Sequence, residues 1–274
     1  MNYRHAFHAG NFADCFKHAL LVWMLRALLR KPTPIHVLDT HAGVGRYDLE
    51  TGPAQRTGEW WDGIGRLTAV AQPPEPLADY LRLVRTLGLY PGSPALVRAL
   101  LRPGDHLTCC ELHHDDAAAL RHHFAADRLV SVHRRDAWEA VGALLPPKEK
   151  RGLVLIDPPY EDPDECGKVV AGLVTAHARF STAVLAAWYP VKHRLIPRAL
   201  HDGVRTAGLR DLVAAELLLR EPFDAARLNG CGLLVVNPPY PFETAIPPLL
   251  DALLAGLSQG EPGTSVGIMR IANE

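Results

Sequence analysis

A chain of 274 residues at 48% hydrophobic can bury a large core, as one large α/β domain or two small ones. No apolar run reaches 18 residues, and the polar start Met1-Asn-Tyr-Arg-His-Ala-Phe-His8 lacks a signal peptide's apolar stretch; with five cysteines in no paired spacing, a cytoplasmic protein without membrane span or disulfide framework is expected. A net charge of −1 neither argues for nor excludes a nucleic-acid partner, and the 14 histidines match no four-ligand zinc spacing, so no metal is expected.

The first predicted element is an amphipathic helix, Phe12–Leu29, capped by Asn11 and ending near Lys31-Pro-Thr-Pro34. Strand Ile35–Asp39 follows and runs into the turn Asp39-Thr-His-Ala-Gly43-Val-Gly45. About Tyr47–Pro91 reads as an insertion of two helices, one around Trp60–Val70 and one at Leu77–Leu87, forming a small lid or substrate-facing subdomain. Ser93-Pro94 opens the next helix as N-cap and first-turn proline. Strand Leu107–Glu111, helix Asp115–Phe124, strand Val130–Asp136, helix Ala137–Leu145 and strand Leu153–Asp157 then alternate, which implies βαβ units and a parallel sheet. Helix Val169–Phe180, strand Ala183–Trp188, helix Pro197–Ala207, strands Leu212–Leu219 and Gly232–Asn237, and a closing helix Ile246–Leu257 complete a single domain over 1–274. The sheet has seven strands. Its last strand is antiparallel, because the connection Glu221–Gly230 is short.

Four predicted strands end in an acid: Asp39, Glu111, Asp136 and Asp157. Right-handed crossovers bring these ends to one edge of the sheet, the edge where open α/β sheets bind ligands. Helix capping is the ordinary alternative for such acids. It suits Asp157 poorly, since prolines follow, and Glu111 poorly, since Glu is not a favoured cap. The turn carrying Gly43 and Gly45 lacks the third glycine of a dinucleotide fingerprint, position 48 being Asp. The shortened turn suits a ligand without pyrophosphate, and the acids suit a cationic one; S-adenosylmethionine meets both conditions. Glu111 is placed for the ribose hydroxyls, Asp136 for the adenine amine, and Asp39 for support of the glycine turn or, through water, of the cofactor's amino group.

Asp157-Pro158-Pro159-Tyr160 supplies a carboxylate, stiff carbonyl acceptors and an aromatic face at a strand end. That set can hold the amine of an extruded base while it attacks a methyl group, with the ring of Tyr160 as a stacking surface. Ordinary strand termination by prolines is the competing reading. Asn237-Pro-Pro-Tyr240 repeats the pattern, but an antiparallel strand puts it at the opposite edge, where it serves only to terminate. The basic clusters, among them Lys192, His193, Arg194 and Arg198, read as solvated faces.

These residues sit within longer stretches that resemble the bacterial 23S rRNA adenine-N6 methyltransferase family, J type: Tyr3-Arg-His-Ala-Phe-His-Ala-Gly-Asn11, Lys17-His18, Leu38–Tyr47, Arg56-Thr-Gly-Glu59, Tyr90-Pro-Gly-Ser-Pro94, Glu111-Leu-His113, Leu155–Tyr160, Trp188-Tyr-Pro190 and Asn237-Pro-Pro239. The resemblance implies a class I S-adenosylmethionine-dependent methyltransferase (Rossmann-like) fold. It implies cofactor contacts at Lys17, His18, His41, Gly43, Ser93, Glu111, Asp136, Ala137 and Asp157, catalysis by Asp157 with Pro158 and Tyr160, and Tyr3 near the RNA. Ala137 stands where the family usually has glycine. The expected substrate is 23S rRNA, naked or in an assembling large subunit, and the expected state a monomer. The rivals are the same chemistry on DNA adenine or protein glutamine, and an inactive RNA-binding module on the same fold.

Overall fold

The computed structural model describes residues 4–273, so the expected role of Tyr3 lies outside the described residues. In chain order the elements are α1 (Phe12–Leu29), β1 (His36–Asp39), β2 (Arg46–Tyr47), α2 (Gly52–Thr57), α3 (Ile64–Thr68), α4 (Glu75–Leu87), β3 (Tyr90–Pro91), α5 (Ser93–Leu100), β4 (His106–Cys110), α6 (His114–His123), β5 (Val130–His133), α7 (Ala137–Leu144), β6 (Gly152–Ile156), α8 (Glu165–Arg179), β7 (Val184–Val191), α9 (Leu195–Thr206), β8 (Leu212–Leu218), β9 (Gly230–Val236), α10 (Phe242–Ala245), α11 (Pro247–Leu257) and β10 (Ser265–Ala272).

The main sheet runs β10-β8-β9-β7-β6-β1-β4-β5. The five strands from β5 to β7 are parallel, as the alternating strands and helices predict. β9 lies between β7 and β8, antiparallel to both. This is the expected Rossmann-like architecture with its reversed strand. The sheet has eight strands, however, not seven. β10 pairs antiparallel with β8 at the edge; of its side chains only Ile271 is buried, while Val266 and Ile268 pack partly on the core.

Side chains alternate across the sheet. Val37, Leu107, Leu153 and Leu233 join one core with Phe16, Leu20 and Met24 of α1, whereas Leu38, Val154, Ile156 and Leu185 join the other with Leu173 and Leu200. α1 is not amphipathic. It is buried on all but four residues, because α4, α5, α11 and β9 cover it from several sides. Its cap is as expected: the Asn11 side chain accepts from the Asp14 N–H at 3.0 Å.

The insertion is clasped at its base by the ribbon β2–β3, in which Tyr47 faces Tyr90. Inside it the run Trp60–Val70 is not one helix. It splits into a 3-10 turn, Glu59–Asp62, and α3, so the insertion holds more than two helical pieces. Gly92 rather than Ser93 is the N-cap of α5.

The reversal of β9 settles the second tetrapeptide. Val236 pairs with Leu185 and Leu212, the starts of β7 and β8, so Asn237 lies at the opposite edge from Asp157. Its side-chain amide donates to the carbonyls of Ser181 and Ala183, at 2.8 Å each.

Candidate active site

The carboxyl ends of β1, β4, β5 and β6 open onto two adjoining cavities. The larger, about 600 Å³, is lined by Lys17, His41, Gly43, Glu111, Asp157, Pro158 and Tyr160 among others. The smaller, about 390 Å³, is lined by Asp136, Ala137 and Trp138. His41, Glu111, Pro159 and Glu161 belong to both walls. Asp157 therefore faces the glycine turn across one continuous space, with the Asp136 end beyond it. Of the sequence-predicted set, His18, Ser93 and the supporting acid Asp39 line neither cavity. They form the layer behind.

The turn after β1 can only be glycine at its two critical places. Gly43 has φ +60, and a Cβ there would stand 2.3 Å from the Tyr47 hydroxyl; Gly45 has φ +83 and would press a Cβ to 2.9 Å from Leu120. The N–H of Gly43 donates to Glu111 Oε2 at 2.9 Å, and that of His113 donates to Oε1 at 2.8 Å. Both oxygens are thus aimed by backbone and keep lone pairs for a ligand's hydroxyls. Burial raises the Glu111 carboxyl above its ordinary range, against these donors.

Asp136 caps α7: its Oδ1 accepts from the N–H groups of Trp138 and Glu139, at 2.9 and 3.2 Å. The capping and ligand readings are compatible, since Oδ2 remains. Asp39 is fully buried, with Oδ1 3.4 Å from the His41 N–H and Oδ2 without a hydrogen-bond partner. Burial pushes its carboxyl up to about 6, while the Ser93 hydroxyl pulls the other way.

Behind Asp157 lies a charged cluster that the apolar look of α1 conceals. Lys17 donates to Asp157 Oδ2 and stands 3.0 Å from Asp14, one turn earlier on the helix. Asp14 also receives the Gly10 N–H at 3.0 Å and lies 2.9 Å from His5 Nε2. Burial alone would lift the Asp14 carboxyl, but His5 and Lys17 hold it well below the usual range. Burial alone would lower the Lys17 ammonium, but Asp14 and Asp157 hold it well above. A buried charge needs such partners, and here each acid supplies one side. His18 bonds the Tyr90 hydroxyl at 3.0 Å, and burial takes its pKa down to about 3. His41 is likewise lowered to about 4 by burial, and its Nδ1 lies 3.3 Å from the Asp157 N–H, tying the glycine turn to the proline loop.

Tyr160 has φ +53, a region that bulky residues rarely adopt. Its hydroxyl donates to the Trp188 carbonyl at 3.1 Å, and its ring meets that of Trp188 edge-on with centroids 6.0 Å apart. Strained backbone of this kind persists where surroundings over-determine it, and at binding sites above all. Sequence reasoning missed Asp14, Glu59, Glu161, Trp188 and Lys192, all of which line the larger cavity. Signals were present for most of them: Glu59 and Trp188 lie in the family-like stretches, Lys192 in a basic cluster, and Asp14 three residues before Lys17 on a mostly apolar helix. The arrangement as a whole offers acids to a cationic ligand, a carboxylate pair of oxygens to a diol, and a carbonyl, carboxylate and ring to a planar amine.

The chain matches the family model described as ribosomal RNA large subunit methyltransferase D, RlmJ, over residues 32–268. It is 39% identical over 260 residues to the ribosomal RNA large subunit methyltransferase J of Haemophilus influenzae, covering 92% of each chain. To the protein of the same description from Escherichia coli it is 40% identical over 250 residues, covering 89% of each. A Legionella pneumophila protein of known crystal structure superposes with a TM-score of 0.88 at 33% identity, over 96% of this chain and 98% of that one.

Proposed function

The chain belongs to the ribosomal RNA large subunit methyltransferase J family, and from that premise we propose that it methylates the exocyclic N6 of one adenine in 23S rRNA, with S-adenosylmethionine as cofactor. The observation that carries this reading is the shared cavity: Asp157, Pro158 and Tyr160 face the same space as Gly43 and Glu111. Glu111 takes the ribose hydroxyls, Asp136 with the Ala137 backbone takes the adenine end, and Gly43 lets the ligand lie close to the chain. Lys17, His18, His41 and Ser93 are the remaining cofactor-side positions; His18 and Ser93 act from the layer behind.

Bound S-adenosylmethionine supplies an electrophilic methyl group. The residues of this chain do the rest by orientation and preorganised polarity. Asp157 Oδ1, the oxygen that Lys17 leaves free, and the Pro158 carbonyl accept the two hydrogens of the flipped adenine's amine. These bonds turn the nitrogen lone pair towards the methyl. Tyr160, fixed through the Trp188 carbonyl, stacks on the base. Asp157 takes the proton that the amine sheds, while Lys17 and Asp14 hold the carboxylate in place. The protein acts in the cytoplasm, as a monomer, on 23S rRNA that is naked or within an assembling large subunit.

The test is Asp157→Ala with labelled cofactor against rRNA, DNA and protein fractions. Methyl transfer to rRNA should fall about 100-fold or more, with cofactor affinity largely kept. A variant that transfers at the wild-type rate, or a wild-type protein that labels DNA or protein in place of rRNA, refutes the assignment.

A further inference from the structure

Lys192, the first of the cluster Lys192, His193, Arg194 and Arg198 read from sequence as a solvated face, lines the larger cavity, and Arg198 follows in the first turns of α9. β7 ends at Val191 and β8 at Leu218, and both pair with Gly230. The segments 192–198 and 219–229 therefore leave the sheet side by side, at the same edge as Asp157. Lys192, Leu219, Arg220, Ala226 and Leu228 line the cavity that also holds Asp157 and Tyr160.

The 219–229 loop is braced. Asn229 is fully buried, and its amide donates to the carbonyls of Lys192 and Asp224 at 2.7 Å each, which locks the two segments together. Arg220 donates to the Leu228 carbonyl at 3.0 Å and to Glu261 at 2.8 Å, and the Glu221 N–H donates to the Pro262 carbonyl at 3.0 Å. At the tip of this stiff loop stands Phe223, 88% exposed. No core needs an aromatic ring there.

Two of the three carboxylates around it are already met by arginines. Glu261 is taken up by Arg220 and Arg227, and Glu221 lies 3.8 Å from Arg194. Asp224 accepts the Ala226 N–H of its own loop at 2.9 Å. Among the described residues Lys192 and Arg198 form no ion pair, and both are exposed. An exposed aromatic ring on a braced loop, next to a segment that carries Lys192 and Arg198 and opens through Lys192 onto the pocket, matches the chemistry of single-stranded nucleic acid: stacking on a ring and phosphates on cations.

We propose that the β8–β9 loop is a docking post for the RNA strand beside the target adenine: Phe223 stacks on a neighbouring unpaired base, and Lys192 and Arg198 hold the adjoining phosphates. The proposal rests on the reading of rRNA as substrate. Its test uses the full chain with in vitro transcribed 23S rRNA and S-adenosylmethionine. Phe223→Ala should raise KM for RNA about 5- to 160-fold, with cofactor affinity unchanged and Phe223→Trp restoring the wild-type value. Replacing Lys192 and Arg198 together by Gln should flatten the slope of log KM against log salt by about 1.4, two single-strand phosphates at about 0.7 each. Wild-type KM and salt slope in these variants overturn the docking post alone. A wild-type protein inactive on rRNA would instead overturn the reading beneath it.

Discussion

His18 and Lys17 are neighbours on one helix, buried alike, and resolve burial in opposite ways. Lys17 keeps its charge because two carboxylates meet it. His18 gives its charge up: nothing opposes its burial strongly enough, and its pKa drops to about 3. An unfolded chain takes a proton on histidine near 6.5. The folded-state value is depressed, so the stabilisation is complete above the unfolded pKa and is lost as pH falls towards the folded one. Between about pH 6 and pH 4 the loss from this one group runs at about 1.4 kcal/mol per pH unit. Urea unfolding of His18→Asn should therefore show a shallower pH dependence than the wild type by about that slope, over and above any uniform loss of stability. Identical slopes would mean that His18 is charged in the folded protein. Asp39 works in the other direction, its carboxyl being raised to about 6, so only the difference between variants isolates His18.

At the scale of the element, the turn after β1 is the least replaceable piece. Gly43→Ala would place a methyl 2.3 Å from the Tyr47 hydroxyl on a backbone of positive φ. Either the turn or the ribbon β2–β3 must then move, and Glu111 loses the N–H that aims it. We expect S-adenosylmethionine affinity, measured by titration calorimetry, to fall at least about tenfold, about 1.4 kcal/mol; unchanged affinity would show that the ligand does not use this turn. The turn was legible in the sequence because its glycines carry a steric meaning that survives without coordinates. So were β1, β4 and β6, whose apolar runs end in acids at the carboxyl edge. β10 went unread although Val266-Gly-Ile-Met-Arg-Ile-Ala272 is largely apolar, because Gly267 and Arg270 break its alternation on both faces and only Ile271 is buried. Nor was the break inside Trp60–Val70, where helical spacing continues across a turn made by the packing of the insertion. Asp14 escaped for a related reason: periodicity marks which residues face a core, and says nothing of a charge placed there to meet Lys17, whose other partner lies 140 residues further on.

At the scale of the molecule, the larger cavity is assembled from places far apart in the chain. The N-terminal segment supplies His5 to Lys17, the glycine turn supplies His41 and Gly43, the proline loop supplies Asp157 to Glu161, and the far side comes from Trp188, Lys192 and Arg220. Topology decided what motif could not. Two nearly identical tetrapeptides leave two strands of one sheet, and the direction of β9 alone sends the second to the wrong edge. That much followed from the shortness of one connection. The docking of α1 against β9 did not, because nothing local to either segment encodes their meeting.

That meeting has a consequence for how the protein is made. Helix α1 leaves the ribosome well before β9 and α11, which help to cover its largely buried surface and follow it by about 200 residues. At roughly 5–20 residues per second, the helix waits about 10–40 seconds for its cover. A nascent chain halted after residue 229 should accordingly bind a dye specific for exposed apolar surface and capture no S-adenosylmethionine, whereas the finished chain should do the reverse. Emergence of β9 and α11 would thus complete the cover of the helix that carries Lys17, and with it the site.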